Sequence, residues 1–375
     1  MSGGSPFTVS SRVSPFSPPP WKARIVALRG RMAGRSLDGL LITDLFNIRY
    51  LCGFSGSHGL LVVTPRKSVL LTDARYRLQT RSEVRNAEVT IVTGDLYGGL
   101  SRAVRFQTGS RIGFEEESLT VARLSTLRAI HPAFRFVPAG GLVEKDAAVK
   151  DSGEIACIRE AARIADGVFR DVVEKMQPGI TEHDVAAGIS AAVRRRGGDG
   201  DAFDIIVASG AQGAFPHARA SHKLLVRGEF VIMDFGVRFR GYNSDLTRTV
   251  ALGRIDARQR AMYDAVREAH DAAVSSARTG IPARDLDALA RNVIRRHGFG
   301  HAFVHSLGHG LGLRIHERPR VAPLSGDTLA SGNVITIEPG IYLRGVGGVR
   351  IEDDVLIRAH GCTMLTRSPK ELLIV

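Results

Sequence analysis

Apolar positions along the chain change period several times. Ile25, Leu28 and Met32 recur at helical spacing and fall on one face of a predicted first helix. Short apolar runs follow, Gly39-Leu-Leu-Ile-Thr43, Gly59-Leu-Leu-Val-Val63 and Ser68-Val-Leu-Leu-Thr72, and these read as strands. Helix alternating with strand predicts an α/β domain over residues 21–149. The polar stretch Lys150-Asp-Ser-Gly-Glu154 marks its end, and an apolar-periodic helix runs from there to about Met176. Residues 150–375 form the second predicted domain. The first 20 residues, rich in Ser, Pro and Gly, show no hydrophobic period and cannot bury enough apolar surface to order themselves, so a disordered tail is expected.

The second domain contains an internal repeat. Pro178-Gly-Ile-Thr-Glu-His-Asp-Val185 reappears as Thr279-Gly-Ile-Pro-Ala-Arg-Asp-Leu286, each a turn that feeds a helix through Thr181 or Pro282. Val193-Arg-Arg-Arg-Gly197 reappears as Ile294-Arg-Arg-His-Gly298, and Gly228-Glu-Phe-Val-Ile-Met-Asp-Phe-Gly236 as Gly332-Asn-Val-Ile-Thr-Ile-Glu-Pro-Gly340. Two α+β halves around a pseudo-two-fold axis are expected.

Composition narrows the class. A chain of 375 residues suits two domains, and its apolar runs fall well short of the roughly 20 residues that cross a bilayer. Three scattered cysteines, Cys52, Cys157 and Cys362, lack both disulfide and metal spacing, which points to reduced thiols and the cytoplasm. The net charge of +13 raises a nucleic-acid reading. The charge is dispersed, however, and Arg194-Arg-Arg196 and Arg295-Arg296 sit at predicted helix ends, where cations complement the dipole.

Acidic residues in strands carry the candidate chemistry. Asp234 lies inside the apolar strand Phe230-Val-Ile-Met-Asp-Phe-Gly-Val237, and Asp245 follows Arg240-Gly241. A hairpin turning between Phe239 and Arg240 would set the two carboxylates directly opposite, with Cβ atoms about 5 Å apart. The second half repeats the arrangement: Glu338 on one strand, Glu352 on the next, and Gly345 halfway between. One buried acidic pair is compatible with a satisfied polar core, but two pairs at equivalent points of a repeat repel unless a cation sits among them. His309, in Ser306-Leu-Gly-His-Gly-Leu-Gly312, adds a nitrogen donor. Four carboxylates and one imidazole suit a two-metal site for Mn²⁺, Co²⁺ or Zn²⁺. His217 and His316 occupy equivalent points of the repeat and are candidates for the same site. His305 is either a third such residue or a solvated loop histidine.

These residues resemble the proline-specific pita-bread metallopeptidases, aminopeptidase P and prolidase. The resemblance rests on Gly308-His-Gly-Leu-Gly-Leu, His316-Glu-Arg-Pro, Glu338-Pro-Gly and Arg350-Ile-Glu-Asp-Asp, and on Asn47-Ile-Arg-Tyr-Leu-Cys-Gly-Phe-Ser-Gly56 in a creatinase-type N-terminal domain. It implies a creatinase-like α/β domain followed by a pita-bread α+β catalytic domain with two metals, Mn²⁺ first. Asp234, Asp245, His309, Glu338 and Glu352 would be the ligands, with Glu338, His316, His305 and His217 as catalytic residues. His217, His316 and Arg350 would bind substrate. The implied activity is removal of an N-terminal residue from in front of proline by a homodimer, an Xaa-Pro aminopeptidase. An Xaa-Pro dipeptidase is the alternative, and a basic nucleic-acid or protein binding module is the non-enzymatic one.

Overall fold

The computed structural model describes residues 19–375, so the expected tail lies almost wholly outside the described residues. The first helix spans Trp21–Gly34 and buries Ile25, Leu28 and Met32. It packs on a six-stranded mixed sheet in the order Glu88–Ile91, Ser68–Thr72, Leu60–Val63, Gly39–Ile42, Arg111–Phe114, Arg135–Pro138. Gly39–Ile42 runs parallel to Arg111–Phe114 and antiparallel to Leu60–Val63. The strands read from apolar runs are present and fully buried.

Helix Ser152–Val173 opens the second part, started by a capping box in which Asp151 accepts from Gly153 and Glu154. It ends short of the predicted Met176. Thr181 caps the next helix, Glu182–Arg195, while Pro282 precedes helix Ala283–Arg296 without a side-chain cap. A three-stranded sheet runs Leu246–Ala251, Phe230–Phe235, Ile206–Ser209. A five-stranded sheet runs Glu317–Val321, Gly308–Gly310, Val334–Ile337, Asp353–Arg358, Gly361–Met364. One apolar core joins the two parts: Leu28, Met32 and Leu51 share it with Ile158, Leu311, Leu313, Val334 and Leu356.

The first acidic hairpin departs from its expected register. Its turn lies at Arg240-Gly241, both with positive φ (49° and 80°), the geometry a two-residue turn needs. The pairing therefore shifts, and Asp234 faces Thr247 rather than Asp245. The shift is by two residues, so parity is kept and Asp245 remains on the same face. The second hairpin matches expectation: Ile337 pairs with Asp353 and Gly340 with Arg350, which sets Glu338 opposite Glu352 about Gly345. Glu338 and Glu352 themselves lie in the breaks between strands rather than on them.

Candidate metal centre

Both hairpins deliver their acids to one buried point. Asp245, His309 and Glu352 each offer a donor atom, and the three atoms lie within 4.8 Å of one another. Glu338 Oε1 lies 3.4 Å from His309 Nε2, and Asp245 Oδ2 lies 3.8 Å from it. Asp234 stands at the border, its Oδ2 held by the Arg350 guanidinium. The hairpins are cross-braced, with Thr247 Oγ1 donating to Glu352 Oε2 at 2.6 Å and the Asp245 N–H donating to Asp354 Oδ2 at 3.0 Å.

The electrostatics follow from burial and crowding. Burial, then Glu352 and Asp234, push the Asp245 carboxyl well above its ordinary range. Glu352 is raised by burial and by Glu338, and Glu338 is pushed up to about 8 by burial against the opposing pull of Arg350. His309 is lowered to about 4 by burial and by His316, so its imidazole is neutral. Its Nδ1 lies 3.1 Å from the Gly310 carbonyl and donates there, which leaves the Nε2 lone pair facing the acids. A divalent cation fits this set. Asp234 Oδ1 and Asp245 Oδ1 are buried with no hydrogen-bond partner, and a mostly oxygen donor set with one imidazole suits a hard or borderline ion.

The centre forms part of the wall of a cavity of about 1170 Å³ that His217, His305, His316, Arg314, Arg320 and Arg350 also line. Phe46, Asn47 and Glu144 of the N-terminal part line it as well. His316 packs edge-on to His309, ring centroids 4.3 Å apart. Buried Arg350 donates to Thr247 Oγ1 at 3.1 Å, to the Pro216 carbonyl at 3.3 Å and to Tyr342 Oη at 2.6 Å, so it ties the acidic cluster to the segment carrying His217. His305 is no solvated loop histidine. Its Nε2 lies 2.9 Å from Tyr342 Oη and its Nδ1 2.8 Å from the Ser306 carbonyl, while burial and Arg350 lower it to about 3.

Two residues of the site escaped the sequence reading. Tyr342 links His305 to Arg350, and the signal for it was its neighbours: a Cβ at Gly340 or Gly348 would strike its ring or hydroxyl. Arg320 pairs directly with His309 across the ladder and so projects from the same face. Its place inside a conspicuous Arg318-Pro-Arg320 run hid it among dispersed charge.

The architecture and the buried acidic cluster define a metallopeptidase with a separate N-terminal domain. Residues 156–359 match metallopeptidase family M24, and residues 24–146 match the creatinase/prolidase N-terminal domain. The chain belongs to the M24 metallopeptidases that carry this N-terminal domain. It is 40% identical over 352 residues to the uncharacterized peptidase YqhT of Bacillus subtilis, covering 94% of this chain and 100% of that protein. To the Xaa-Pro dipeptidase of Pyrococcus horikoshii it is 35% identical over 346 residues, covering 91% of this chain and 96% of that protein. Among solved structures it is similar to an Xaa-Pro dipeptidase from Bacillus anthracis (TM-score 0.90, 37% identity, 95% of this chain and 100% of that one). It is also similar to an X-Pro aminopeptidase from Thermotoga maritima (TM-score 0.86, 34% identity, 94% and 99%).

Proposed function

We propose that the chain is a two-metal Xaa-Pro dipeptidase. The sequence reading put aminopeptidase first, and the relatives named Xaa-Pro dipeptidase favour the alternative instead. The observation that carries the choice is Arg320. A dipeptidase must read a free carboxylate just beyond the proline. Two other arginines of the cavity are engaged elsewhere: Arg314 is paired with Asp44, and Arg350 with Asp234 and Tyr342. Arg320 has no side-chain ion pair among the described residues, lines the cavity, and stands opposite His309. Its charge also helps lower His316, after burial, so the two side chains share one environment.

Asp234, Asp245, His309, Glu338 and Glu352 would hold two cations, with Mn²⁺ the first choice. When bound, the ions supply a water activated near neutral pH and polarise the scissile carbonyl. Glu338 carries a proton to the proline nitrogen, the role that the family resemblance implies for it. His316 and His217 orient the peptide, and neutral His305 holds Tyr342 and Arg350 in place. Proline's tertiary amide lacks an N–H and has a fixed φ, so a site that accepts its ring selects it without gripping that donor. Peptides with proline second are the substrates we propose. Homodimerisation through the N-terminal domain and a cytoplasmic location belong to the same reading. The latter is supported by three free cysteines, which suit a reducing compartment.

The test compares Ala-Pro with Ala-Pro-Ala on metal-reconstituted protein. Ala-Pro should be the better substrate, and Arg320→Met should raise its KM roughly tenfold or more, the scale of a lost charged hydrogen bond, with little effect on Ala-Pro-Ala. Faster turnover of the tripeptide, with Ala-Pro insensitive to Arg320, returns the aminopeptidase reading.

A further inference from the structure

The segment that carries His316 has no regular structure. Residues 311–316 lie outside any helix or strand, between strands Gly308–Gly310 and Glu317–Val321 and with bends at 312–316, so few ladder hydrogen bonds fix its course. Three side chains do so instead. Asn243 Nδ2 donates to the carbonyls of Gly312 and Leu313 at 3.1 and 3.0 Å. Lys150 Nζ lies 2.7 Å from Glu317 Oε2, whose other oxygen accepts from the Arg314 N–H at 3.0 Å.

The third tether crosses from the N-terminal domain. Arg314 pairs with Asp44, and its guanidinium lies 4.9 Å from the centroid of the Phe46 ring. Asp44 is itself fixed. Its Oδ1 caps helix Leu45–Cys52 by accepting from Phe46 and Asn47 at 2.9 and 3.1 Å. The N–H groups of Thr43 and Asp44 donate to buried Glu115 Oε2 at 2.7 and 2.8 Å, and Asn47 Nδ2 donates to Glu115 Oε1 at 2.6 Å. A continuous polar path thus runs from Glu115 through Asp44 to Arg314, two residues before His316.

We propose that Asp44 and Phe46, acting through Arg314, are positioning residues for His316, so that the N-terminal domain sets part of the catalytic geometry of its own chain. The inference rests on the peptidase reading. The pair is only partly buried, with side-chain exposures of 35% for Arg314 and 16% for Asp44. Its contribution is therefore expected in turnover more than in stability.

Asp44→Asn retains the helix cap, since Asn caps as well as Asp, and removes the charge. Metal-reconstituted Asp44→Asn, Arg314→Met, Arg314→Lys and the Asp44→Asn/Arg314→Met double variant are compared for kcat and KM on Ala-Pro, metal content and hydrogen exchange at residues 311–317. Each of Asp44→Asn and Arg314→Met should lower kcat roughly tenfold, with metal content intact and exchange faster across the segment. The double variant should be no worse than the worse single one, and Arg314→Lys should recover part of the loss. Wild-type kcat in Asp44→Asn beside a loss in Arg314→Met overturns the proposal, because Arg314 would then act on substrate directly. Additive losses, or exchange unchanged at 311–317, overturn it as well. If the wild-type protein hydrolyses neither Ala-Pro nor Ala-Pro-Ala, the peptidase reading fails, while the exchange comparison still decides the tether.

Discussion

Arg248→Met tests how the structure supports the acidic cluster through the backbone of Glu352. Arg248 is among the largest fully buried side chains, and all of its donor nitrogens are engaged. Nε donates to the Pro369 carbonyl at 3.0 Å. Nη1 donates to the carbonyls of Thr247 and Glu352 at 3.0 and 2.5 Å, and Nη2 to Asp353 Oδ1 and the Ser368 carbonyl, both at 2.7 Å. Asp353 is also buried. Burial pushes its carboxyl up, but Arg248 and His270 outweigh that and hold it well below the usual range. His270 Nε2 and Lys370 Nζ lie 3.0 and 3.7 Å from Asp353 Oδ2, whereas the guanidinium bonds Oδ1, so neither takes the place that Arg248 leaves. Removing one partner of a buried pair costs about 3–5 kcal/mol, and carbonyls left without donors add to this, though not in a simple sum. The expected loss is about 4 kcal/mol or more in urea unfolding of the metal-free protein, with an unchanged m-value. Cation affinity should fall too, because Arg248 holds the backbone of Glu352. Adding Asp353→Leu should restore part of the stability by removing the stranded charge. A loss below about 1 kcal/mol for Arg248→Met would refute the reasoning, since it would mean that Asp353 finds equal compensation without its partner.

Asp245→Asn should abolish cation binding yet stabilise the metal-free protein at neutral pH, because the wild-type carboxyl is raised by burial and by its acidic neighbours. A raised acid makes the folded state bind more protons than the unfolded one, so wild-type stability falls as pH rises above the unfolded value of about 3.9 and the variant loses part of that slope. Metal-free unfolding at acid and neutral pH, with metal analysis, measures both, and retained metal or an identical slope contradicts the assignment. His305 shows the opposite sign. Its folded value near 3 lies below the unfolded value of about 6.5, so the unfolded state binds the extra proton between them and stability drops as pH falls through that window. His305→Asn should flatten this acid limb in unfolding midpoints taken across it, and superimposable limbs would show that His305 is not held neutral.

Elements with a strong period were legible in the chain itself. The face of Ile25, Leu28 and Met32 is buried as read, and the second acidic hairpin turns about Gly345 as its spacing implies. The turn of the first hairpin lies one residue later than its spacing implies, which moves the register by two. Counting toward the midpoint of Asp234 and Asp245 assumed that the acids must be opposite, whereas the positive φ at Arg240 and Gly241 decides where the chain reverses. Parity protected the conclusion, because the slip was even. What the chain could not reveal was the traffic between distant segments. Asp44 and Arg314, or Lys150 and Glu317, carry no periodic signal, and only packing brings them together.

The burial that makes the cluster costly in isolation also suits it to a cation. Asp245, Glu338 and Glu352 each have a carboxyl raised above its ordinary range, so a metal-free protein near neutral pH must hold protons among them or tolerate repulsion. Cations remove that repulsion and displace the protons, which ties metal affinity, pH and fold stability into one equilibrium. The surroundings keep that equilibrium aimed at one geometry. Thr247 bridges to Glu352, Asp354 holds the Asp245 main chain, and Arg350 takes one oxygen of Asp234 while leaving the other unpartnered. The acids are thus fixed in direction by neighbours that do not neutralise all of them, and the uncompensated oxygens point to where positive charge is required.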